Sequence, residues 1–450
     1  MTTRRTFLAA SVSATAAVAQ PKRPNILLIM ADDMGATDLS CYQCPDIKTP
    51  NIDALAKEGV RFTHAYANAP ECSPTRAGLL TGRYQQRVGG LECAIGVGNV
   101  GRYDEAAWLE KRGELGLPLS ETTVATTLKN AGYATACIGK WHLGYGEKFS
   151  ANRHGFDEYF GILGGNADHF THREEDGTNV LSHNGKPVER AGHTTDIFTD
   201  HAIGWMEQAA RGAKPWLLYL PYTAPHTPIQ GPNDGAVADK AKWNAGTRAT
   251  YVQMVEHLDR RIGDLMEALR RTGQLNNTLV IFKSDNGGYN RSNNYPFRGF
   301  KSSVFEGGLR IPLIMQWPGV LARATTTPQV TISMDVTATI LAAAQVKPTR
   351  ALDGINLLLG LRGRRGPIPR TLYWSYKRGE QRRWAVREGD WKYIVDNGNE
   401  YLYNLALDEV EKINLKEAEP VRFQRLRAML DTWKRDTAPE RLKPFFAARA

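Results

Sequence analysis

Short runs of apolar residues recur along the chain, and polar residues follow each of them. The first run is apolar at every position from 26 to 30. A continuous apolar run of this length predicts a strand that is buried on both faces, as in a parallel sheet. We therefore predict a strand at residues 25–30 and similar strands at 134–138, 216–220 and 279–282.

Helical patterns lie between these strands. Thr49-Pro50 opens one predicted helix, which runs to Gly59. An apolar stripe with spacings of three and four residues predicts a longer helix further along the chain. Its residues are Val255, Leu258, Ile262, Leu265 and Leu269. Strands that alternate with helices predict an α/β fold, in which helices sandwich a large and mostly parallel sheet. Ligands of such sheets bind at the carboxyl ends of the strands.

The pattern changes near residue 371. Aromatic-rich runs such as "TLYWSYK" and "WKYIVDNGNEYLYNL" are separated by Gly and Asn turns, which predicts antiparallel strands. A closing helix is predicted at residues 421–433. We expect a main domain over 20–360, an Arg/Gly/Pro-rich linker over 361–369, and a smaller C-terminal α+β subdomain over 370–450.

The first 19 residues read as an export signal. Arg4-Arg5 precedes an Ala-rich apolar run that ends in Ala17-Val18-Ala19, a small-residue cleavage pattern. The paired arginines are typical of twin-arginine export. No segment reaches the roughly 18 apolar residues of a membrane span. The sequence therefore predicts an exported bacterial protein, periplasmic or secreted, without a membrane span.

Composition and net charge exclude only a few classes of protein. The chain is 42% hydrophobic and 23% charged, which argues against a disordered or fibrous protein. Its formal net charge of +10 favours acidic partners such as sulfated or phosphorylated ligands, although solubility alone explains it equally well. The basic residues are dispersed, so a nucleic-acid-binding stripe is not expected.

Two carboxylate motifs follow predicted strands. Asp32-Asp33 comes after the first strand and Asp285-Asn286 after the strand at 279–282. Four oxygen ligands that meet at one sheet edge would hold Ca²⁺ or Mg²⁺. The alternative is that these residues only form turns and helix caps.

The stretch "ECSPTRAGLLTGRY" places a thiol at the start of a predicted helix, residues 73–81. Pro74 suits the first turn and Gly82 the C-terminal end. Cys72 then lies at or near the N-cap, where free N–H groups favour an anion, and Arg76 lies one turn on. This arrangement indicates an anion pocket with a nucleophile. A buried structural cysteine is the alternative.

Cys72-Ser-Pro-Thr-Arg76 followed by Leu-Thr-Gly-Arg83 resembles the signature of the type I sulfatases, in the alkaline phosphatase superfamily. Further motifs of that family recur in order along residues 25–414. They are Asp32-Asp33, "GKWH" at 139–142, Pro225-His226, "SDNG" at 284–287 and Lys301. The resemblance, to arylsulfatases and N-acetylgalactosamine-6-sulfatases, implies an alkaline phosphatase-like fold.

The resemblance also implies a modification and a metal. A formylglycine-generating enzyme would oxidise Cys72 to Cα-formylglycine, whose hydrate supplies the nucleophile. Ca²⁺, with Mg²⁺ as the alternative, would be held by Asp32, Asp33, Asp285, Asn286 and residue 72. Cys72 would then take no part in disulfides, which leaves the pairing of Cys41, Cys44, Cys93 and Cys137 open.

By the same resemblance, six residues carry the catalysis: Cys72, Arg76, Lys140, His142, His226 and Lys301. Arg76 would position the nucleophile, and the two lysines would bind the sulfate oxygens. His226 would be the general acid toward the leaving alcohol, and His142 the base that helps to expel sulfate. A polar segment that relatives use for substrate contacts supplies four more candidates, although ordinary turn chemistry explains them too. They are Asn166, Asp168, His169 and His172.

The expected function is hydrolysis of a sulfate ester, of a sulfated carbohydrate or an aryl sulfate. One alternative is a phosphodiesterase or phosphonate monoester hydrolase of the same superfamily. A second is a non-catalytic binder of sulfated glycans, if Cys72 stays unmodified. The oligomeric state is left open by the sequence.

Overall fold

The computed structural model of the chain describes residues 23–237, 239–362 and 366–449. The predicted export signal, residues 1–19, lies outside the described residues, as does the middle of the predicted linker.

The described residues form sixteen strands, most of them in one large sheet. They are β1 Asn25–Ala31, β2 Val60–Phe62, β3 Ala65–Tyr66, β4 Ala134–Ile138, β5 Glu158–Ile162, β6 Leu181–His183, β7 Lys186–Pro187, β8 Trp216–Pro221, β9 Thr278–Ser284, β10 Leu313–Gln316, β11 Thr325–Thr327, β12 Thr331–Ile332, β13 Thr371–Arg378, β14 Gln381–Glu388, β15 Trp391–Asp396 and β16 Asn399–Asn404.

Eleven α-helices complete the described fold. They are α1 Pro50–Lys57, α2 Cys72–Thr81, α3 Asp104–Lys111, α4 Val124–Asn130, α5 Thr194–Ala210, α6 Arg248–Arg271, α7 Glu306–Leu309, α8 Met334–Ala343, α9 Leu358–Leu361, α10 Pro420–Asp436 and α11 Lys443–Ala447.

The large sheet has ten strands in the order β11-β2-β10-β9-β1-β8-β4-β5-β6-β7. Its central strands, β9 through β5, pair in parallel. Antiparallel pairs flank this block on both sides, at β10–β9 and at β5–β6. The four strands predicted from apolar runs are all in the parallel block. The prediction of a large, mostly parallel sheet is confirmed.

Strand β1 shows why this sheet is buried on both faces. Ile26, Leu28 and Met30 belong to one hydrophobic core, and the alternating Leu27 and Ile29 belong to a second core on the opposite face. Successive side chains of a strand point to opposite faces, so a continuous apolar run fills both cores. Helices α1, α5 and α6 cover the second core, and all five residues of the predicted α6 stripe are buried there.

The C-terminal region forms an antiparallel meander, β13-β14-β15-β16, against which α10 packs. Tyr373 of β13 stacks on Trp433 of α10 with ring centroids 5.1 Å apart. Trp374 belongs to the same core as helix α2, and its indole N–H donates to the Ala67 carbonyl at 2.9 Å. The predicted subdomain is therefore present as a sheet, but it shares its core with the main sheet.

All five cysteines lie within the described residues, and each of them is a free thiol. Among the described helices, none has the length and apolar run that crossing a bilayer requires.

Candidate active site

Four neighbouring parallel strands bring the predicted site residues to one edge of the sheet. Asp32-Asp33 follows β1 and Asp285-Asn286 follows β9. Ala31 pairs with Ser284 in the β1–β9 register, so these two motifs leave the sheet side by side. Lys140 follows β4, and His226 lies in the loop after β8. The structure therefore gathers the predicted polar motifs where parallel sheets bind ligands.

Carboxylate and amide oxygens meet at this edge. The Asn286 side-chain N–H donates to Asp33 Oδ1 at 2.7 Å, and the Asp33 backbone N–H donates to Asp285 Oδ1 at 3.1 Å. Asn286 Oδ1 is buried and has no hydrogen-bond partner among the described residues. Asp33 has a left-handed backbone (φ 60°), a conformation that is uncommon for residues other than glycine.

Helix α2 delivers Cys72 to these oxygens. The helix spans Cys72–Thr81, with Glu71 as its N-cap and Gly82 as its C-cap at φ 68°. Cys72 is thus the first helical residue. Its Sγ lies 3.5 Å from Asp32 Oδ1 and 3.5 Å from Lys301 Nζ. The predicted nucleophile position therefore touches both an anionic and a cationic member of the site.

Arg76 forms ion pairs with both carboxylate motifs. Its guanidinium is fully buried, 2.9 Å from Asp285 Oδ2 and 3.4 Å from Asp32 Oδ2, and it also donates to the Lys140 carbonyl at 2.7 Å. Arg76 is therefore enclosed by the fold and is not exposed to solvent.

Both predicted lysines contact the carboxylates. Lys140 forms an ion pair with Asp32, and Lys301 Nζ lies 2.8 Å from Asp33 Oδ2. Gly139 allows the close approach that places Lys140, because a Cβ at Gly139 would lie 2.0 Å from the Pro221 carbonyl oxygen. The site thus pairs each of these lysines with a carboxylate.

These charges shift the pKa values of the carboxyls in opposite directions. Burial, and then the neighbouring Asp285, raise the pKa of Asp32 to about 7. Burial also opposes the ionisation of Asp285, but Arg76 and the two lysines outweigh it and hold the pKa of Asp285 well below its usual range. Such divergent pairs are typical of functional sites.

The same environment disfavours a thiolate at position 72. Burial and the adjacent Asp32 raise the pKa of the Cys72 thiol well above its ordinary value. Thiols react as thiolates, and catalytic cysteines have lowered pKa values. Without a bound cation, an unmodified Cys72 is therefore a weak nucleophile in this site.

His226 is bonded at both ring nitrogens. Nδ1 donates to the Thr227 carbonyl at 2.7 Å, which leaves Nε2 to accept from Lys301 Nζ at 3.1 Å. Burial, with Lys301 nearby, lowers the pKa of His226 to about 3 despite the opposing charge of Asp33. The ring is neutral in this arrangement and sits beside a proton donor.

His142 has one free ring nitrogen. Nε2 donates to the Ile95 carbonyl at 2.9 Å, so Nδ1 carries the lone pair, and this buried atom has no partner among the described residues. The backbone is left-handed at His142 (φ 55°). Gly165 lies against the ring, where an added Cβ would be 2.7 Å from it. His142 thus presents an unpaired base.

A cavity of about 350 Å³ opens above Cys72. Its wall includes Cys72, His142, His226 and Lys301 from the predicted catalytic set. A second cavity, of about 690 Å³, adjoins it through shared residues that include Lys301, and extends toward the C-terminal sheet. The site is therefore open to a ligand that is larger than a sulfate group.

The four candidate substrate residues separate into two groups. Asn166 lines the smaller cavity. Asp168, His169 and His172 do not line either cavity at this site, and their side chains are engaged locally. Asp168 accepts backbone N–H groups from its own loop, His169 pairs with Thr194, and His172 bonds the Gly192 carbonyl at 3.1 Å. Of these four residues, Asn166 alone lines the cavity above Cys72.

Several cavity residues were missed by the sequence analysis, among them Glu71, Arg102 and Arg378. Glu71 is buried and accepts from Arg378 at 3.1 Å, so it ties the start of α2 to strand β13. Arg102 also lines the smaller cavity and has no ion-pair partner within the described residues. Glu71 adjoins the cysteine motif, which was a usable signal. Arg102 and Arg378 lie outside every motif, so nothing local pointed to them.

Comparison with known proteins agrees with this geometry. The family model described as Sulfatase matches residues 24–346. The chain belongs to the sulfatase family. A second family model, N-sulphoglucosamine sulphohydrolase C-terminal, matches residues 299–434 of this sulfatase, including the C-terminal sheet.

Curated relatives of this sulfatase are themselves sulfatases. The N-acetylgalactosamine-6-sulfatase of Homo sapiens is 34% identical over 357 residues, which cover 75% of this chain and 66% of the human protein. The crystal structure of Ps i-CgsB in complex with k-i-k-neocarrahexaose has a TM-score of 0.81 and 31% identity. It covers 92% of this chain and 94% of that one.

One structural neighbour is an enzyme of another kind. The phosphonate monoester hydrolase of Agrobacterium radiobacter has a TM-score of 0.67 at 19% identity, covering 92% of this chain and 96% of that one. At this identity the likeness concerns the fold alone.

Proposed function

We propose that this sulfatase hydrolyses the sulfate ester of a sulfated carbohydrate, with Cys72 modified to formylglycine and with a divalent cation. The observation that carries the proposal is the position of Cys72 Sγ. It lies 3.5 Å from both Asp32 and Lys301, at the floor of an open cavity.

The donor set fits a hard cation. Asp32, Asp33, Asp285 and Asn286 offer oxygen atoms, and the buried Asn286 Oδ1 has no other partner among the described residues. Oxygen donors of this kind suit Ca²⁺, or Mg²⁺ in the alternative. When bound there, the cation would neutralise charge on the ester oxygens and on the nucleophile.

The environment of Cys72 fits a modified residue better than a reactive thiol. Burial and Asp32 keep the thiol protonated, whereas formylglycine would supply the hydroxyl of an aldehyde hydrate as the nucleophile. Arg76, which is fixed by Asp285, would hold the local charge pattern around that residue.

The remaining side chains fit binding and proton transfer. Lys301 and Lys140 carry the positive charge that a sulfate group needs. His226 Nε2 accepts from Lys301 Nζ at 3.1 Å, so the ring would take a proton from that lysine and relay it to the leaving oxygen. His142, with its unpaired Nδ1, is placed to accept one.

A carbohydrate suits the shape and polarity of the two cavities. Asn166, Arg102, Glu175 and Arg378 line the smaller one, and polar side chains also line its larger neighbour. The structural relative Ps i-CgsB was crystallised with k-i-k-neocarrahexaose. We propose Asn166 as a substrate contact, and Asp168, His169 and His172 as residues that support the loop that carries it.

The test measures the mass of the peptide that contains residue 72 and the turnover of the same preparation. The full chain is produced with and without a formylglycine-generating enzyme, and the tryptic peptide that contains residue 72 is weighed. We expect an aldehyde only in the first preparation, and release of sulfate from 4-nitrophenyl sulfate and sulfated oligosaccharides only by that preparation. Cys72→Ala is the matched inactive control.

Three results would change the proposal. Equal turnover by the unmodified chain would refute the formylglycine. Faster cleavage of a phosphonate monoester than of any sulfate ester would favour the hydrolase alternative. A modified chain that binds sulfated oligosaccharides without releasing sulfate would favour the binder.

We also propose export, on the twin-arginine pattern of residues 1–19. Because this route carries folded proteins, oxidation of Cys72 would precede export. Fractionation of a host that expresses the full chain tests this. A processed product outside the cytoplasm is expected, and its loss on Arg4→Lys with Arg5→Lys would support the route. Unchanged export by that variant would contradict it.

A further inference from the structure

A second group of potential ligands lies at the far end of the sheet from the active site. It consists of Glu158, His183 and His201. Glu158 is the first residue of β5, whereas the catalytic motifs follow the last residues of the parallel strands. His183 ends β6, and His201 lies in α5. Three elements that are separate in sequence thus meet here.

The donor atoms converge on one point. His183 Nε2 lies 2.8 Å from Glu158 Oε1, and His201 Nε2 lies 2.9 Å from the same oxygen. The three donor atoms all lie within 4.8 Å of one another. Two imidazoles that aim the same nitrogen at one carboxylate oxygen form a His₂Glu donor set, a combination found in zinc sites.

The surrounding residues hold this geometry. The His201 ring stacks on Phe160 with centroids 4.3 Å apart, and the His183 ring meets the edge of Phe160 at 6.0 Å. The Asn184 side chain donates to Glu158 Oε2 at 2.9 Å and accepts the Tyr159 backbone N–H at 2.8 Å. The Phe160 ring thus packs against both imidazoles, and Asn184 holds the second oxygen of Glu158.

In a second cluster of histidine and acidic residues, one histidine has no lone pair that a metal ion could use. His193 lies near Asp196 and His257, but both of its ring nitrogens are already used. Nδ1 accepts the Thr195 backbone N–H at 3.2 Å, and Nε2 donates to the Gln230 carbonyl at 3.3 Å. That histidine has no lone pair to give. His183 and His201 have no such backbone bonds among the described residues.

We propose that Glu158, His183 and His201 bind a zinc ion. Tetrahedral zinc with bonds of about 2.0–2.1 Å separates its ligand atoms by roughly 3.3 Å, so the two nitrogen–oxygen spacings of 2.8 and 2.9 Å need to open by only about half an ångström. The His183 and Glu158 side chains are 37% and 21% exposed, which leaves room for water as the fourth ligand. The ion links β5, β6 and α5 at the sheet edge.

The proposed site differs from the active site in its choice of metal. Imidazole nitrogen favours zinc over calcium or magnesium, whereas the all-oxygen set of the active site favours the latter. The two sites can therefore be filled separately, and the zinc proposal does not depend on the proposed function.

The experiment measures zinc stoichiometry in the full, tag-free chain. Metal is removed with a chelator, the protein is saturated with Ca²⁺, and Zn²⁺ is titrated by calorimetry. The double variant His183→Ala/His201→Ala should bind one zinc ion fewer per chain than the wild type. His257→Gln, a change in the comparison group, should bind as many as the wild type.

A more conservative variant tests the site even if the double variant does not fold. Glu158→Gln keeps the shape of the side chain and should weaken zinc binding at this site at least tenfold. Replacing Zn²⁺ by Co²⁺ should give the visible bands of a tetrahedral nitrogen–oxygen site in the wild type and not in the double variant. Equal zinc stoichiometry in the wild type and the double variant, or unchanged affinity in Glu158→Gln, would overturn the proposal.

Discussion

Two buried clusters of charged residues in this sulfatase both pair carboxylates with basic side chains, but only one of them adjoins the cavities at the active site. The Asp cluster lies at the active site and comprises Asp32, Asp33, Asp285, Arg76, Lys140 and Lys301. The Glu cluster joins the large sheet to the C-terminal sheet and comprises Glu306, Glu411, Arg310 and Lys392. In each cluster, one carboxyl pKa is raised to about 7 and another is lowered.

The Glu cluster is closed. Lys392 Nζ lies 2.8 Å from Glu306 Oε1 and 2.9 Å from Glu411 Oε1, and all three side chains are fully buried. Arg310 Nε donates to Glu306 Oε2 at 2.7 Å. None of these carboxylates lines a cavity at the active site.

The Asp cluster is open on one side. Lys301 lines both cavities, Cys72 lines the smaller one, and the backbone at Asp33 is left-handed. Shifted pKa values occur in both clusters, so they do not by themselves identify the catalytic one. Access for a ligand and an adjacent nucleophile position make the difference.

The largest expected effect is on the stability of the Glu cluster. Lys392→Met leaves two buried carboxylates without their shared cation, so the free energy of unfolding should fall by about 3–5 kcal/mol. Urea denaturation measures it. Turnover by the folded enzyme at low temperature should be unchanged. Lys416→Met, an exposed lysine in the same region, is the control and should change stability by less than about 1 kcal/mol. Loss of turnover in fully folded Lys392→Met would contradict the view that the Glu cluster serves stability and not catalysis.

The next largest effect is on activity, in the Asp cluster. Asp285→Asn removes a charged carboxylate of the proposed metal site with little change of shape, so kcat/KM should fall by about 10²–10³-fold. Stability should fall less than in Lys392→Met, because Arg76 keeps Asp32 as an anionic neighbour at 3.4 Å. Sulfate release and urea denaturation are measured on the same preparation. Turnover within a few-fold of the wild type would contradict the role of Asp285.

A smaller effect concerns the pH dependence of stability. Burial, with Glu306 nearby, raises the pKa of Glu411 to about 7 in the folded chain. Folded protein therefore holds a proton that unfolded protein releases, and this contribution to stability is lost as pH rises through 7. Between pH 5 and 8, the wild type should lose about 1–3 kcal/mol more than Glu411→Gln does. Parallel stability curves for the two proteins would show that Glu411 does not titrate in this range.

The smallest expected effect is on KM, after a change of a residue that lines the cavity beside the Asp cluster. Asn166→Ala should raise KM for an oligosaccharide several-fold, which corresponds to the loss of one hydrogen bond of about 0.5–1.5 kcal/mol. KM for 4-nitrophenyl sulfate should change less. Thermal stability serves as the control and should stay the same. An equal rise of KM for both substrates would place Asn166 at the sulfate group instead of the sugar.

Local sequence predicted the elements that carry the site. The runs at β1, β4, β8 and β9 are apolar because both faces of those strands are buried, and this is a property of each segment alone. Helix α2 was predicted over 73–81 and spans Cys72–Thr81, since Pro74 and Gly82 mark its ends through backbone preferences. The order of motifs along the chain was enough to place the chain in its family.

Long-range pairing decided the rest. Whether a polar residue faces a cavity or a carbonyl depends on strand register and on partners hundreds of residues away. That is why Asn166 lines the cavity while His169 and His172 bond within their own surroundings, and why Arg378 reaches Glu71 across 307 positions. Sequence by itself determined which residues of this sulfatase could do chemistry. Tertiary structure alone decided which buried charges face a cavity and which are sealed inside the fold, because burial and charge pairing are set by packing.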